Sequence, residues 1–269
     1  MKYHVITTIL VFLFLACRPD FNADKKEIKY PPTEKSKPKT EDSKQKESKP
    51  KTEEELKKKQ EEEEPEKKQL KNTLLNDLKE QIDSAYNFKE KYVKSMKKEP
   101  ADHYGMTSSF RGLNWGPGTE KMSDNTERSI RFRRHVYTIL SPLDPHELKK
   151  FADIMQHIRT IAPVINIFNS FSTIGGAIDV VSDHLYPKKD NLDKLNIVDL
   201  ETIKNSFEQI LYIKGSVAGK SKKLLLDYNN LLTDDSKLES YSNELANEIK
   251  QQALEADNLK RLIVSKYNP

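Results

Sequence analysis

The chain has 269 residues, 33% of them charged, with 46 Lys and Arg against 42 Asp and Glu for a formal net charge of +4. This balance, about +2 on either side of Lys71, excludes a strong bulk field, so any anion binding must come from local clusters. A single cysteine excludes internal disulfides and cysteine-built zinc sites.

Lys2 gives the N-terminus a positive start, Ile6 to Ala16 form a short apolar run interrupted by Thr7 and Thr8, and Cys17 closes it. A bilayer span needs about 20 apolar residues, so residues 1–16 read as a secretory signal. Leu13-Phe14-Leu15-Ala16-Cys17 resembles a lipobox, with Phe14 where a leucine is common. Acylation of Cys17 would then anchor the chain to a membrane; the alternative is plain export with an incidental cysteine. The one thiol sits where a lipid would consume it, which favours the anchor.

Residues 17–68 are rich in Lys, Glu, Pro, Ser and Thr, and Ser36-Lys37-Pro38-Lys39-Thr40-Glu41 recurs as Ser48-Lys49-Pro50-Lys51-Thr52-Glu53. Such a segment buries too little apolar surface to offset its chain entropy, so a disordered tether is expected. Glu53 to Lys68 could form transient helix through Glu-to-Lys pairs. A spacer that lifts the domain off the lipid is favoured over a ligand-binding arm.

Residues 69–269 read as one all-α domain. Leu74, Leu78, Ile82, Ala85, Tyr92 and Met96 recur at helical spacing, and Pro100 stops the run. Met106 to Gly118 is irregular, with Phe110 and Trp115 either offering a binding finger or packing the loop onto the bundle. A second helix is expected from Ser123 or Asp124, boxed by Glu127, with Ile130, Tyr137 and Leu140 inward and Pro142 ending it. Asp144, Pro145 and Glu147 spell a third start, followed by Leu148, Phe151, Ile154, Met155, Ile158 and Ile161. Pro163 should break the chain there. Ile161 to Ile178 carries no charge, yet Pro163, Asn166, Asn169 and the pair Gly175-Gly176 suit the centre of a bundle better than a lipid span.

After a loop at Pro187 to Asp193, Ile197, Leu200, Ile203, Phe207, Ile210 and Leu211 mark one helix. Leu224, Leu225, Tyr228, Leu231 and Leu232 mark a shorter one, and Leu238 to Ile263 a final long one after Asp234-Asp235. Gly215 to Ser221 places three residues between its glycines where a phosphate loop needs four, so it reads as a turn between helices. His146-Glu147 lacks the second histidine of a zinc-protease helix, and Asp153 with His157 reads as a surface pair. No nucleophile elbow, paired-carboxylate or cofactor motif stands out, so catalysis is not expected.

The strongest local signal is basic. Arg128, Arg131, Arg133 and Arg134 precede His135 within two turns; Lys89, Lys91, Lys94, Lys97 and Lys98 crowd the end of the first helix; Lys220, Lys222 and Lys223 form a third group. Convergence of these would make a site for DNA or another polyanion, where cations gain from counterion release. Solvated helix faces are the plainer alternative.

The leader through Tyr30-Pro31-Pro32, the charged tether and the helical remainder resemble the plasmid-encoded outer surface lipoproteins of Lyme disease Borrelia. Met1-Lys2-Tyr3-His4 and Ala16-Cys17-Arg18-Pro19-Asp20-Phe21-Asn22 are most like paralogous family twelve. The resemblance implies an α-helical, non-catalytic lipoprotein of the cell outer membrane, in a family associated with non-specific DNA binding. Three readings follow. The first is polyanion binding through the basic faces. The second is docking of a host protein, as an adhesin or complement-evasion protein with Phe110 and Trp115 as anchors. The third is a purely structural surface antigen. Oligomeric state and the choice between surface and periplasmic faces stay open.

Overall fold

A computed structural model describes residues 53–116, 119–159, 164–231 and 234–267, with side chains from Glu64 onward. The leader, Cys17 and the tether up to residue 52 lie outside the described residues, as does the expected break at Pro163. Seven α-helices occur among the described residues: α1 (Glu53–Met96), α2 (Thr107–Arg111), α3 (Glu127–Ile139), α4 (Pro145–Ile158), α5 (Val164–Leu185), α6 (Ile197–Leu231) and α7 (Asp235–Lys266). Short 3-10 turns occupy His103–Gly105 and Tyr186–Lys194. An isolated bridge between Asn114 and Lys121 is the sole β pairing among the described residues, so the chain is all-α.

The α1 backbone is helical from Glu53, well before the expected domain start at residue 69, and runs through Pro65. Leu74, Leu78, Ile82 and Ala85 are buried on one side of it, the stripe that its spacing predicts. The α3 start differs from expectation. Thr126 caps it by accepting from the Ser129 N–H, while the Asp124 carboxylate is turned back onto the Lys121 N–H at 2.7 Å. The α4 start is as expected: Asp144 and Glu147 close a reciprocal capping box, and Pro145 takes the first turn.

α5 is the centre of the bundle. It packs against α7, α3, α1 and α6, and Phe168, Phe171, Ile174 and Val181 are fully covered. Its apolar length is thus used on protein. Gly175 sets how closely α3 can cross it, because a Cβ there would meet the backbone O and Cα of His135 at 2.6 and 2.8 Å.

α6 corrects the expected division into two helices. It is continuous over 35 residues, so Gly215 to Ser221 is helix and not a turn. Glycine in a helix interior costs up to about 1 kcal/mol relative to alanine. Here the buried stripe Ile213, Val217, Ser221, Leu224 passes straight through and carries the helix across both glycines. α6 lies antiparallel to α7, with Gln209 donating to Glu255, Lys220 paired with Glu248, and Lys266 reaching Asp199.

Candidate functional site

Several cations of the three basic groups are engaged within the protein. In the first, Arg133 is completely buried. Its Nε lies 2.9 Å from Glu99 Oε1, its Nη2 2.6 Å from Glu99 Oε2, and its Nη1 donates to the carbonyls of Met122 and Asp124 at 2.8 Å each. Arg134 turns inward to pair with Asp179, which also lies 2.9 Å from His135 Nε2. Arg128 is exposed but lies on the Trp115 ring, 3.8 Å from its centroid. Arg131 remains exposed, with no carboxylate within ion-pair distance of it among the described residues. The third group is also matched by carboxylates: Lys220 with Glu248, Lys222 with Glu147 at 3.6 Å, and Lys223 with Asp227. Spacing along a helix shows which residues share a face; it does not show which face a distant Glu99 or Asp179 covers.

The expected aromatic anchors are also committed internally. Phe110 is fully buried, edge-on to Tyr137 and tilted against Phe168. Trp115 donates its indole N–H to Ser129 Oγ at 2.9 Å and meets Phe132 edge-on. The irregular loop is therefore packed onto the bundle.

The lysines at the end of α1 are different. Lys91, Lys94, Lys97 and Lys98 are exposed, and no carboxylate lies within ion-pair distance of them among the described residues. Lys91, Lys94 and Lys98, at i, i+3 and i+7, share a face with Asn87 and Ser95 and line an open trough, with Glu90 as its acidic member. Lys97 lies outside it. Lys89 is instead paired with Asp183.

Beside the trough is a half-open cleft of about 230 Å³, and Lys91 and Ser95 belong to both. The rings of Tyr92, Tyr104 and Tyr137 form its aromatic walls; Met96, Leu140, Leu143 and Leu148 supply aliphatic surface; Ser141 and Pro145 complete the rim. The elements meet there for physical reasons. α1 must stop before Pro100, α3 ends before Pro142, and α4 begins at Pro145, so three helix ends surround one space.

A strained turn places Tyr104. His103 and Tyr104 adopt φ of +52° and +56°, a left-handed conformation that costs a side-chain-bearing residue about 1 kcal/mol or more. Gly105 follows at +84°. The turn is held because Tyr137 shares its single hydroxyl proton between the His103 carbonyl at 3.0 Å and Glu99 at 2.9 Å, while His103 Nε2 lies 3.2 Å from the Ser123 carbonyl. The Tyr104 ring then meets Tyr137 edge-on at 5.4 Å.

Electrostatics beneath the cleft are dominated by Glu99. Burial alone would raise its carboxyl, but the adjacent His103 ring, the Arg133 guanidinium and the Tyr137 hydroxyl outweigh that and hold it down at about 2. Burial, together with the Glu99 charge, pushes the Tyr137 hydroxyl far up, and burial raises Tyr92 and Tyr104 as well. The floor of the cleft is thus a neutral aromatic surface over a closed ion pair, with positive charge at its mouth. Farther along α1, Lys214 of α6 lies over the Phe88 ring at 3.9 Å, and burial lowers its ammonium to about 8.

Other candidates do not assemble. Glu147 is used in the α4 cap and His157 meets the Tyr228 hydroxyl. Among the described residues, no group of three or more His, Cys, Asp or Glu is placed to hold a metal ion. The cleft was missed in the sequence because its residues read individually as core or cap positions, and only the succession of Pro100, Pro142 and Pro145 hinted that several helix ends meet.

Residues 93–268 match the family model described as Borrelia Bbcrasp-1 domain containing protein. That description, rather than paralogous family twelve, is what the helical region matches. The chain is 42% identical to BSE31 of Borrelia spielmanii, with a TM-score of 0.68 over 72% of this chain and 98% of that one. The fold is also similar to outer surface protein BBA65 of Borrelia burgdorferi (18% identity, TM-score 0.59, covering 70% of this chain and all of that one). Outer surface lipoprotein BBA64 of the same organism is similar at 23% identity and a TM-score of 0.55, over 75% of this chain and 98% of that one. No curated protein matches.

Proposed function

The chain belongs to the Borrelia Bbcrasp-1 domain family, and from that premise we propose that it is a lipid-anchored outer surface protein whose helical domain docks a host protein. Cys17 is the anchor in this reading, the tether carries the domain away from the lipid, and the working surface is the cleft between α1, α3 and α4. The observation that carries it is a half-open aromatic cleft, unfilled by described side chains, with uncompensated lysines at its mouth. Concave apolar sites with a charged rim are where interface energy concentrates.

The outer surface setting is supported by the names of BBA65 and BBA64 and by the leader. The test is a serum pull-down on the full chain at low and high salt, beside a Leu148→Trp variant that fills the cleft. A protein retained by the natural chain at high salt and lost by the variant supports docking. Equal recovery by both chains refutes it.

Polyanion binding is the second reading, and one observation favours it: Lys91, Lys94, Lys97 and Lys98 have no carboxylate partner among the described residues. Arg133, Arg134, Lys220, Lys222 and Lys223 are each paired with a carboxylate and are left out of this reading. Four phosphate contacts would give a log–log salt slope of about −3 to −4 on duplex DNA. A gel shift in which Lys91→Ser, Lys94→Ser and Lys98→Ser together abolish binding would support it, and unchanged binding would remove it.

A further inference from the structure

We infer that the segment received by the cleft is an acidic stretch of a partner protein carrying one bulky apolar side chain, which enters the cleft while flanking carboxylates lie along the lysine trough. The inference rests on the docking reading above and specifies the chemistry of the partner.

The size of the cleft comes first. At about 230 Å³ it falls below the roughly 300–1,000 Å³ of sites that enclose a whole small molecule or cofactor. It suits a single anchoring side chain. Its surface is chosen for such a group: three tyrosine rings stand around aliphatic side chains of α1, the turn after α3, and α4. Tyr137 has its hydroxyl committed to Glu99 and the His103 carbonyl, so it borders the cleft with no free hydroxyl. An aromatic or branched aliphatic group would gain contact there without leaving a polar atom unsatisfied.

Charge gives the flanks. Lys91, Lys94 and Lys98 outnumber Glu90 in the trough. The nearby acidic residue Glu99 offers no compensation, since Arg133 closes over it. Because Lys91 and Ser95 are shared by cleft and trough, an anchored chain must pass directly over the ammonium groups. From Lys91 to Lys98, along the end of α1 and the turn after it, the chain advances about 10 Å, which an extended chain covers in about three residues. Carboxylates within one to four positions of the anchor therefore meet the lysines, whereas basic flanks are repelled.

The Tyr104 wall adds an independent sign. Two consecutive left-handed residues, His103 and Tyr104, hold an aromatic ring at the cleft's edge at a conformational cost. Such strain persists where surrounding contacts over-determine it, and it concentrates at binding sites.

The test uses the full chain and a fluorescein-labelled pentapeptide with a central phenylalanine between two aspartates on each side, followed by fluorescence anisotropy. Two control probes replace the phenylalanine by serine, or all four aspartates by lysine. Each control should bind at least tenfold more weakly. The Lys91→Ser, Lys94→Ser, Lys98→Ser variant should lose roughly tenfold for the aspartate probe, since each of three exposed ion pairs contributes only modestly. Leu148→Trp should abolish the difference between phenylalanine and serine probes. Ser95→Trp plugs the cleft from α1, so loss of fold in one variant leaves the test intact.

An aspartate probe that binds no better than the lysine probe overturns the acidic chemistry. Docking itself would still stand if the plug variants released the serum partner, and would fall if they retained it. Decanoate bound in a cleft-dependent manner, with none of the peptides bound, overturns the inference and assigns the cleft to a small amphiphile.

Discussion

Replacing Arg133 by methionine separates a structural arginine from an anion-binding one. The side chain is fully covered, and its guanidinium makes three short contacts to Glu99 and two to main-chain carbonyls. Methionine keeps much of the apolar stem but leaves Glu99, itself only 6% exposed, without its cation. Breaking a buried pair from one side costs about 3–5 kcal/mol. Glu99 retains the Tyr137 hydroxyl and the His103 ring, so the lower end, about 3 kcal/mol, is expected. For a domain of this size that lowers Tm by roughly 10 °C. Urea unfolding followed by circular dichroism at neutral pH measures it. The double variant Glu99→Leu, Arg133→Met should recover most of the loss, because both charges are then gone. An Arg133→Met chain within about 1 kcal/mol of the natural one would refute the reasoning and return Arg133 to the surface.

The same carboxylate sets an acid limit. Glu99 is held at about 2 against an ordinary 4.5, so its contribution is full above the ordinary value and is lost as pH falls towards 2; stability curves of Glu99→Gln should be flatter across that window. Lys214 acts in the opposite sense. With a folded value of about 8 against 10.5, the unfolded chain binds more protons between those limits, so stability should rise with pH there. Lys214→Met should stabilise the chain at neutral pH by about 1–2 kcal/mol, the burial cost less the contact with Phe88, and should remove the rise in a pH series of melting curves. Gly175→Ala should cost about 2 kcal/mol, since the added methyl meets His135 backbone that cannot rotate away; a Tm equal to that of the natural chain would show that α3 and α5 separate freely.

Much of the helical framework was legible because its signals are local. The Asp144 box, the Asp234 cap and the stripe from Leu74 to Ala85 each lie within a few turns. The resemblance to Borrelia surface lipoproteins, drawn from the leader, is borne out by a match confined to residues 93–268, where no diagnostic motif was evident. Errors arose where packing overrode propensity. Gly215 and Gly219 did not break α6 because their neighbours at helical spacing are buried, and Thr126 capped α3 because Asp124 had a nearer donor. The site was least legible. Arg133 finds Glu99 across 34 residues and Arg134 finds Asp179 across 45, so half of the arginine cluster is neutralised by carboxylates distant in sequence. The cleft gathers residues from Lys91 to Leu148, none of which differs in type from an ordinary core or surface residue.

The most direct measurement is the affinity of the serum protein retained at high salt for the natural chain and for Leu148→Trp, with duplex DNA as competitor. The cleft account predicts binding that survives salt, ignores DNA and disappears when the cleft is filled. Binding that Leu148→Trp preserves, or that DNA displaces, would contradict it.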